Sequence, residues 1–525
     1  MMMTKITKRG TRGGPWRWVG GLLALGPLLV PAPGQIPAHA AVGAVQPALL
    51  SVAAAHPDAP VRVIVQEGGD TTSVNGSITR LGGHVTQDLS LIHAIGATLP
   101  ARAVPALARA RGVRWVSLDA PVVKSSYTCC DPATLQQVYT QAVGAARLWG
   151  QYQGQGIGVA VVDSGVNPQQ DLYTTAGASR LVAAVNLSTG YNTSTTDGYG
   201  HGNHVAGIIA GNGSSSRGAY IGVAPSANIV DVKVSDDQGG STASSVVNGL
   251  QWVFTNKSRY NIRVVNLSLN STVADSYQVD PLDAAVEALW NAGIVVVVSA
   301  GNSGSTAAGV LFAPANDPFV ITVGAVNDHG TVSPSDDTLD PFSSYGTLPV
   351  STTTGLTTAI KKPDLVAPGT NLVSLMANQN SILATAHPDH VLNHFYFRMS
   401  GTSMAAPVVA GVVALLLQAS PSLTPNQVKY RLMATAQPLA SPSGVGAGEV
   451  NAAAAVAYTS ATSANQDLAM AASLQAGNPA ATWGSSSWGS SSWGSSSWGS
   501  SSWGSSSWGS SSWGSSSWGS DYWGS

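Results

Sequence analysis

GVAVVDSGV at residues 158–166 reads as a strand that ends on an acid and turns at once through glycine. The run Val159–Val162 has no polar alternation, the mark of a strand buried on both faces. Similar runs follow: NIVDVKV at 228–234, RVVNLSL at 263–269 and IVVVVSAGN at 294–302. Between them lie helical stretches, HVAGIIAG, ASSVVNGLQWVF and PLDAAVEALWNAG. Apolar strands alternating with helices predict an α/β, three-layer sandwich with a mostly parallel sheet. In such sheets the working residues gather where strands end and helices begin. Asp163 and Asn302 fall at strand ends, and His201 opens a helical stretch.

Two more glycine-bounded segments share this character. HGNHVAG at 201–207 carries His201 and His204, and MSGTSMAAP at 399–407 carries Ser403 ahead of the apolar run VVAGVVALLLQ. The run is apolar all round, which predicts a buried helix with Ser403 at its N-terminus. Backbone N–H groups there favour developing negative charge. Pro407 reads as a first-turn residue, with no intrahelical N–H bond to lose. An acid, an imidazole and a hydroxyl together make an activated nucleophile. Taken singly, each has an ordinary alternative: a turn at Asp163, a metal ligand pair at His201 and His204, a capping serine at Ser403. The zinc alternative lacks the glutamate of an HExxH motif and any carboxylate at ligand spacing, so no metal site is expected.

These three segments, in the order Asp, His, Ser, resemble the signature segments of the subtilisin-like serine proteases, the subtilases. The resemblance runs from about residue 140 to 458 and implies a subtilisin-like fold and serine endopeptidase activity. It implies Ser403 as nucleophile, His201 as general base, His204 in support and Asp163 orienting the imidazole. Asn302, in VVVVSAGNSG, matches the position whose amide helps bind the oxyanion. Asn203 stands where the motif usually has Thr. Asn266-Leu267-Ser268-Leu269 resembles the segment lining the substrate cleft, and Gly239-Gly240-Ser241 the facing edge strand. A peptide would add there as an extended strand, touching Ser268, Leu269, Asn270 and Gly239. The chain departs from the pattern at Asn270 and Ser271, where glycines are common. It departs again at Phe312, which aligns near the base of the specificity pocket and implies a shallow one. The loop of the family's strongest calcium site corresponds to GNGSSSRGAY at 211–220. It has no carboxylate, so no strong calcium site is expected there and catalysis needs no cofactor. Asp236, Asp237, Asp336 and Asp337 have no evident role in the sequence.

Upstream, VRVIVQ at 61–66, LSLIHAIGATLP at 89–100, a helical stretch at 103–111 and VRWVSL at 113–118 predict a small α+β, ferredoxin-like module over 58–123. Its position and size resemble the inhibitory propeptides of subtilases, so the chain's own propeptide is an expected partner. Activating cleavage is expected within Val123–Ala133. Lys5, Lys8, Arg9, Arg12 and Arg17, then apolar Val19–Val30 and Ala38-His39-Ala40, predict a signal peptide over 1–40 and a secreted product, with cell-surface association open. The apolar run is shorter than the roughly 20 residues of a membrane span.

The two cysteines, Cys129 and Cys130, are adjacent and exclude a disulfide framework. Charged residues make up 10% of the chain and its net charge is −2, so nothing would hold nucleic acid. The catalytic domain is expected over 135–458 and a connector over 459–482. From 483 to 525 a Trp-Gly-Ser-Ser-Ser repeat holds nine of the 15 tryptophans. An odd period alternates them between the faces of a strand, so no packed core forms. Two readings of this tail stay open: a flexible appendage, or a sticky segment contacting polysaccharide or other chains. The second makes the protein an adhesion or binding protein, with proteolysis serving its processing. A catalytically dead binding module conflicts with the complete set of Asp163, His201, Asn302 and Ser403.

Overall fold

The computed structural model describes residues 45–68, 71–124, 137–189, 193–304, 311–440, 443–471 and 474. The expected signal segment, both cysteines and the Trp-Gly-Ser repeat lie outside the described residues.

The N-terminal module runs α1 (Pro47–Ala55), β1 (Pro60–Glu67), α2 (Thr71–Arg80), β2 (His84–Leu89), β3 (Ala94–Pro100), α3 (Val104–Leu107) and β4 (Val113–Leu118). Its antiparallel sheet has the order β2-β3-β1-β4, the ferredoxin-like arrangement that the alternating apolar runs predict. Val63, Val65, Val74, Ile78, Leu99 and Val116 form its core. The module begins earlier than residue 58: Val45 and Leu49 are buried in the same core. Gln46 explains the extension, because its side-chain oxygen accepts from Leu118 N (2.9 Å) and its Nε2 donates to Asp275 (2.9 Å). β5 (Pro121–Lys124) then leaves the module for a different sheet.

The larger domain continues with α4 (Tyr139–Ala142), β6 (Gly158–Asp163), β7 (Leu181–Asn186), α5 (His201–Ala210), β8 (Asn228–Lys233), β9 (Ser241–Thr242) and α6 (Ala243–Asn256). Next come β10 (Ile262–Leu267), β11 (Leu269–Ser271), α7 (Pro281–Asn291), β12 (Val295–Ser299), β13 (Ile321–Asn327) and β14 (Thr338–Leu339). β15 (Gly346–Ser351) and β16 (Thr357–Lys362) form a hairpin. β17 (Leu365–Pro368), β18 (Leu372–Leu375), α8 (Ile382–Ala386), β19 (Val391–Leu392) and β20 (Tyr396–Met399) lead to α9 (Thr402–Ala419), α10 (Pro425–Ala434) and α11 (Ala452–Ala457).

The main sheet has the order β14-β13-β12-β10-β6-β8-β7, with β17 also paired to β13. Every pair except β13–β14 is parallel. β6 and β12 are buried at every residue, as their unbroken Val runs require. α5 packs on α9, and α6 on α7. α9 is long and apolar enough to cross a membrane, yet 89% of it is buried inside the protein, so it is a core helix.

Residues 459–471, expected as part of a loose connector, are pinned to this body. Asn465 Nδ2 donates to Phe319 O (2.8 Å), Ala464 N to Asn426 O (3.0 Å) and Ala471 N to the buried Glu287 (2.7 Å). Their polar backbone finds partners on elements far away in sequence, which hydrophobic periodicity does not register.

Candidate active site

Asp163 ends β6 and His201 opens α5. His201 Nδ1 lies 2.9 Å from each Asp163 carboxylate oxygen, and both residues are buried. Asp163 Oδ1 also accepts from Ser164 N (2.7 Å) and Ser164 Oγ (3.1 Å), which fix the carboxylate's orientation. With Nδ1 turned to the acid, Nε2 is the ring's remaining proton acceptor. Nε2 is buried with no hydrogen-bond partner.

Local chemistry sets the start of α5. Asp197 accepts from Gly200 N (2.7 Å) and Asn203 N (2.8 Å), capping the helix from outside it. Gly202 has no room for a side chain: a Cβ there would stand 2.2 Å from Gly165 O. Asn203 joins the helix to the segment after Asp163, since its Oδ1 accepts from Asn167 N (2.8 Å) and its Nδ2 donates to Asn167 O (3.2 Å). His204 Nε2 lies 2.9 Å from Phe397 O and 3.1 Å from Leu372 O. Burial first, and the nearby His201 second, push the His204 pKa down to about 3. It is therefore a neutral donor that ties α5 to β18 and β20. Among the described residues no cluster of three His, Cys, Asp or Glu is arranged to hold a metal ion.

Ser403 is the second residue of α9, after Gly401, whose positive φ (143°) favours glycine. Pro407 is the sixth residue of that helix, beyond the first turn expected from sequence. Lacking an N–H, it leaves the Ser403 carbonyl without its helical donor. Ser268 Oγ supplies the bond instead, at 2.9 Å, and itself accepts from Asn266 Nδ2 (2.9 Å). Ser403 Oγ donates back to Ser268 O (3.0 Å). The nucleophile helix and the cleft strand are thus bonded reciprocally. Ser403 Oγ and His201 Nε2 make no hydrogen bond to each other here, in keeping with loose catalytic hydrogen bonds in ligand-free sites.

Asn302 follows β12. Its Oδ1 accepts from Thr402 N (3.0 Å) and Thr402 Oγ1 (2.8 Å). That fixes the amide's orientation and leaves Nδ2 buried and unpartnered beside the start of α9. A preorganised donor next to a helix N-terminus is what a developing oxyanion requires.

β5, from the N-terminal module, lies between β11 and β9 as the middle strand of a three-stranded antiparallel sheet. Val122, Val123 and Lys124 face Ser271, Asn270 and Leu269, and Pro121 and Val122 face Thr242 and Ser241. Leu269 and Asn270 therefore contact an extended chain through their backbones, with Ser268 at the nucleophile. Gly239 sits in the turn before β9, left-handed (φ 85°) and against the Tyr199 ring, so its part is to shape the turn. Phe312 is half-buried, one residue before Ala313, whose carbonyl accepts from Ser271 N (2.7 Å). A cavity of about 1010 Å³ lies elsewhere, beside the β15–β16 hairpin and residues 464–468.

The acids without an evident role now have partners. Asp237 binds the buried Lys233 (2.6 Å), Asp236 caps the turn at Gln238 and Gly240, and Asp336 accepts from Thr331. Asp337 is buried beside Glu449. In the 211–220 loop, Ser215 N donates to Asp171 (2.7 Å), whose other oxygen accepts from Tyr396 OH (2.7 Å). A loop without carboxylates, facing an acid already satisfied by hydrogen bonds, does not fit a strong calcium site.

An acid-oriented imidazole, a serine at a helix N-terminus and a prepared amide donor, all on the rim of a parallel sheet, define a serine peptidase. Residues 154–448 match the Subtilase family. Serine protease AprX of Bacillus subtilis (strain 168) is 41% identical over 288 residues, 53% of this chain and 61% of that protein. Subtilisin E of the same organism is 32% identical over 380 residues, 72% of this chain and 84% of its own length. Among solved structures, fervidolysin from Fervidobacterium pennivorans, described as a keratinolytic enzyme related to subtilisin, superposes with a TM-score of 0.57. It is 26% identical, over 76% of this chain and 61% of its own. The chain belongs to the subtilase family.

Proposed function

We propose that the protein is a secreted serine endopeptidase made as a self-processing zymogen. Ser403 Oγ attacks a peptide carbonyl as His201 Nε2 takes its proton, and Asp163 stabilises the imidazolium that forms. Asn302 Nδ2 and the Ser403 backbone N–H stabilise the oxyanion. His201 then protonates the leaving amine, and water hydrolyses the acyl-enzyme through the same base. No cofactor takes part in these steps.

The observation that carries the reading is the pairing of β5 with β11 and β9. It supports both a polypeptide substrate bound as an added strand and a propeptide that inhibits by occupying that strand's position. Arg62, Asp119 and Ser244 support the same docking. Asp119 accepts from Ser244 N and Ser244 Oγ, each at 2.7 Å, so a propeptide acid caps the first turn of α6. Lys124 stands opposite Leu269, the neighbour of Ser268, which supports self-cleavage within a few residues of Lys124.

The test is mass and N-terminal sequencing of the secreted protein, with and without Ser403→Ala, plus labelling by a serine-directed phosphonate. A shortened, labelled parent beside a full-length, unlabelled variant is the expected result. A parent that is unlabelled and uncut refutes the reading.

A further inference from the structure

The geometry points to Asn270 as the residue that closes the specificity pocket and restricts cleavage to bonds following small side chains. We infer that the enzyme acts after Gly, Ala or Ser; the inference rests on the serine endopeptidase reading above.

The argument starts from strand parity. Asn270 stands directly opposite Val123 in the β5–β11 pair, and residues directly opposite share a face of the sheet. Alternate residues of an extended chain also share a face. A substrate residue two positions beyond the one opposite Asn270 therefore presents its side chain on Asn270's face. That residue faces Ser268, whose carbonyl accepts from Ser403 Oγ at 3.0 Å. Its carbonyl is the one within the nucleophile's reach, so its side chain is the one that selects the cleaved bond.

Asn270 meets that side chain with a fixed amide. Nδ2 donates to Ser299 O at 3.0 Å, and the residue is only 5% exposed. Its Oδ1 lies 3.5 Å from where a Cβ on Gly301 would stand. The side chain thus bridges from β11 to the chain Ser299–Gly301, which leads directly to Asn302. It fills the gap between the two segments that flank the acyl residue. An aromatic or long aliphatic side chain would have to displace the amide and leave Ser299 O without this donor. A methyl or hydroxymethyl group requires no displacement. Ser271 N, bonded to Ala313 O (2.7 Å), holds the next stretch of wall in place, so β11 cannot swing aside to make room.

The test uses the mature enzyme and two chromogenic tetrapeptides that differ only in the residue at the cleaved bond, Ala or Phe. The parent should show kcat/KM at least ~tenfold higher on the Ala peptide. Asn270→Gly opens the gap and should move the Phe-to-Ala ratio by at least ~tenfold toward Phe. Asn270→Ser, which retains a short polar side chain, should move it in the same direction by less. A uniform loss of activity, the mark of a merely structural role, would leave the ratio unchanged and overturn the inference. Faster cleavage of the Phe peptide by the parent would overturn it too. A parent that cleaves neither peptide and takes no phosphonate label overturns the endopeptidase reading itself, and this inference with it.

Discussion

Replacing Glu449 by Gln should make the protein more stable at pH 8 and leave it almost unchanged at pH 4. Glu449 is fully buried and Asp337 is 4% exposed. No donor from any other described residue reaches their four carboxylate oxygens. The two groups interact with each other, among Asp328, Asp336 and His329, and burial followed by the facing carboxyl holds Glu449 well above the usual carboxylate range. The folded protein therefore keeps a proton that the unfolded chain releases near pH 4. A raised folded-state pKa gives stability that is complete below the unfolded value and is lost as pH climbs toward the folded one. Each pH unit in that window costs about 1.4 kcal/mol, so about 3 kcal/mol is gone by neutrality. Gln keeps the shape, cannot ionise and can donate to Asp337. The gain expected at pH 8 is about 3–5 kcal/mol, against less than about 1 kcal/mol at pH 4. Urea unfolding followed by tryptophan fluorescence, on a Ser403→Ala background to prevent autolysis, measures both values. An equal effect at the two pH values, or a destabilisation that grows with pH, would refute the shared proton.

Three other outcomes follow from the same contacts. Asn302→Ala should lower kcat by roughly 10²–10³ with KM nearly unchanged, read from steady-state kinetics on a peptide substrate. Ser268→Ala removes the donor that replaces Pro407's missing N–H, and should cost about 1–2 kcal/mol in urea unfolding along with a drop in kcat. Asp119→Ala removes the cap that the N-terminal module places on α6, worth about 1 kcal/mol, so on the proposed zymogen reading active enzyme should appear sooner in a time course of peptide hydrolysis.

Much of the fold was legible because local patterns carry it. Unbroken apolar runs in β6 and β12 have one stable solution, a sheet covered on both faces, and the helical stretches between the strands supply the cover. The candidate catalytic set was legible for a related reason. Asp163, His201 and Ser403 each sit beside glycines demanded by close approach or a positive φ, as at Gly202 and Gly401, so each site leaves its mark in adjacent residues. The misreading of Pro407 marks the limit. Whether a proline deep in a helix is tolerated depends on who satisfies the freed carbonyl, and Ser268 is remote in sequence.

The sequence alone determined the element types, the parallel sheet and the candidates for nucleophile, base and acid, since these rest on periodicity and on short contiguous segments. The tertiary structure decided what depends on partners brought from afar. It brought β5 between β9 and β11, fastened residues 459–471 through Asn465 and Glu287, turned Asn270 across to Ser299, and buried Glu449 against Asp337. Hydrogen bonds and charge pairs take their energy from distance and burial, and neither quantity is written in the order of the residues.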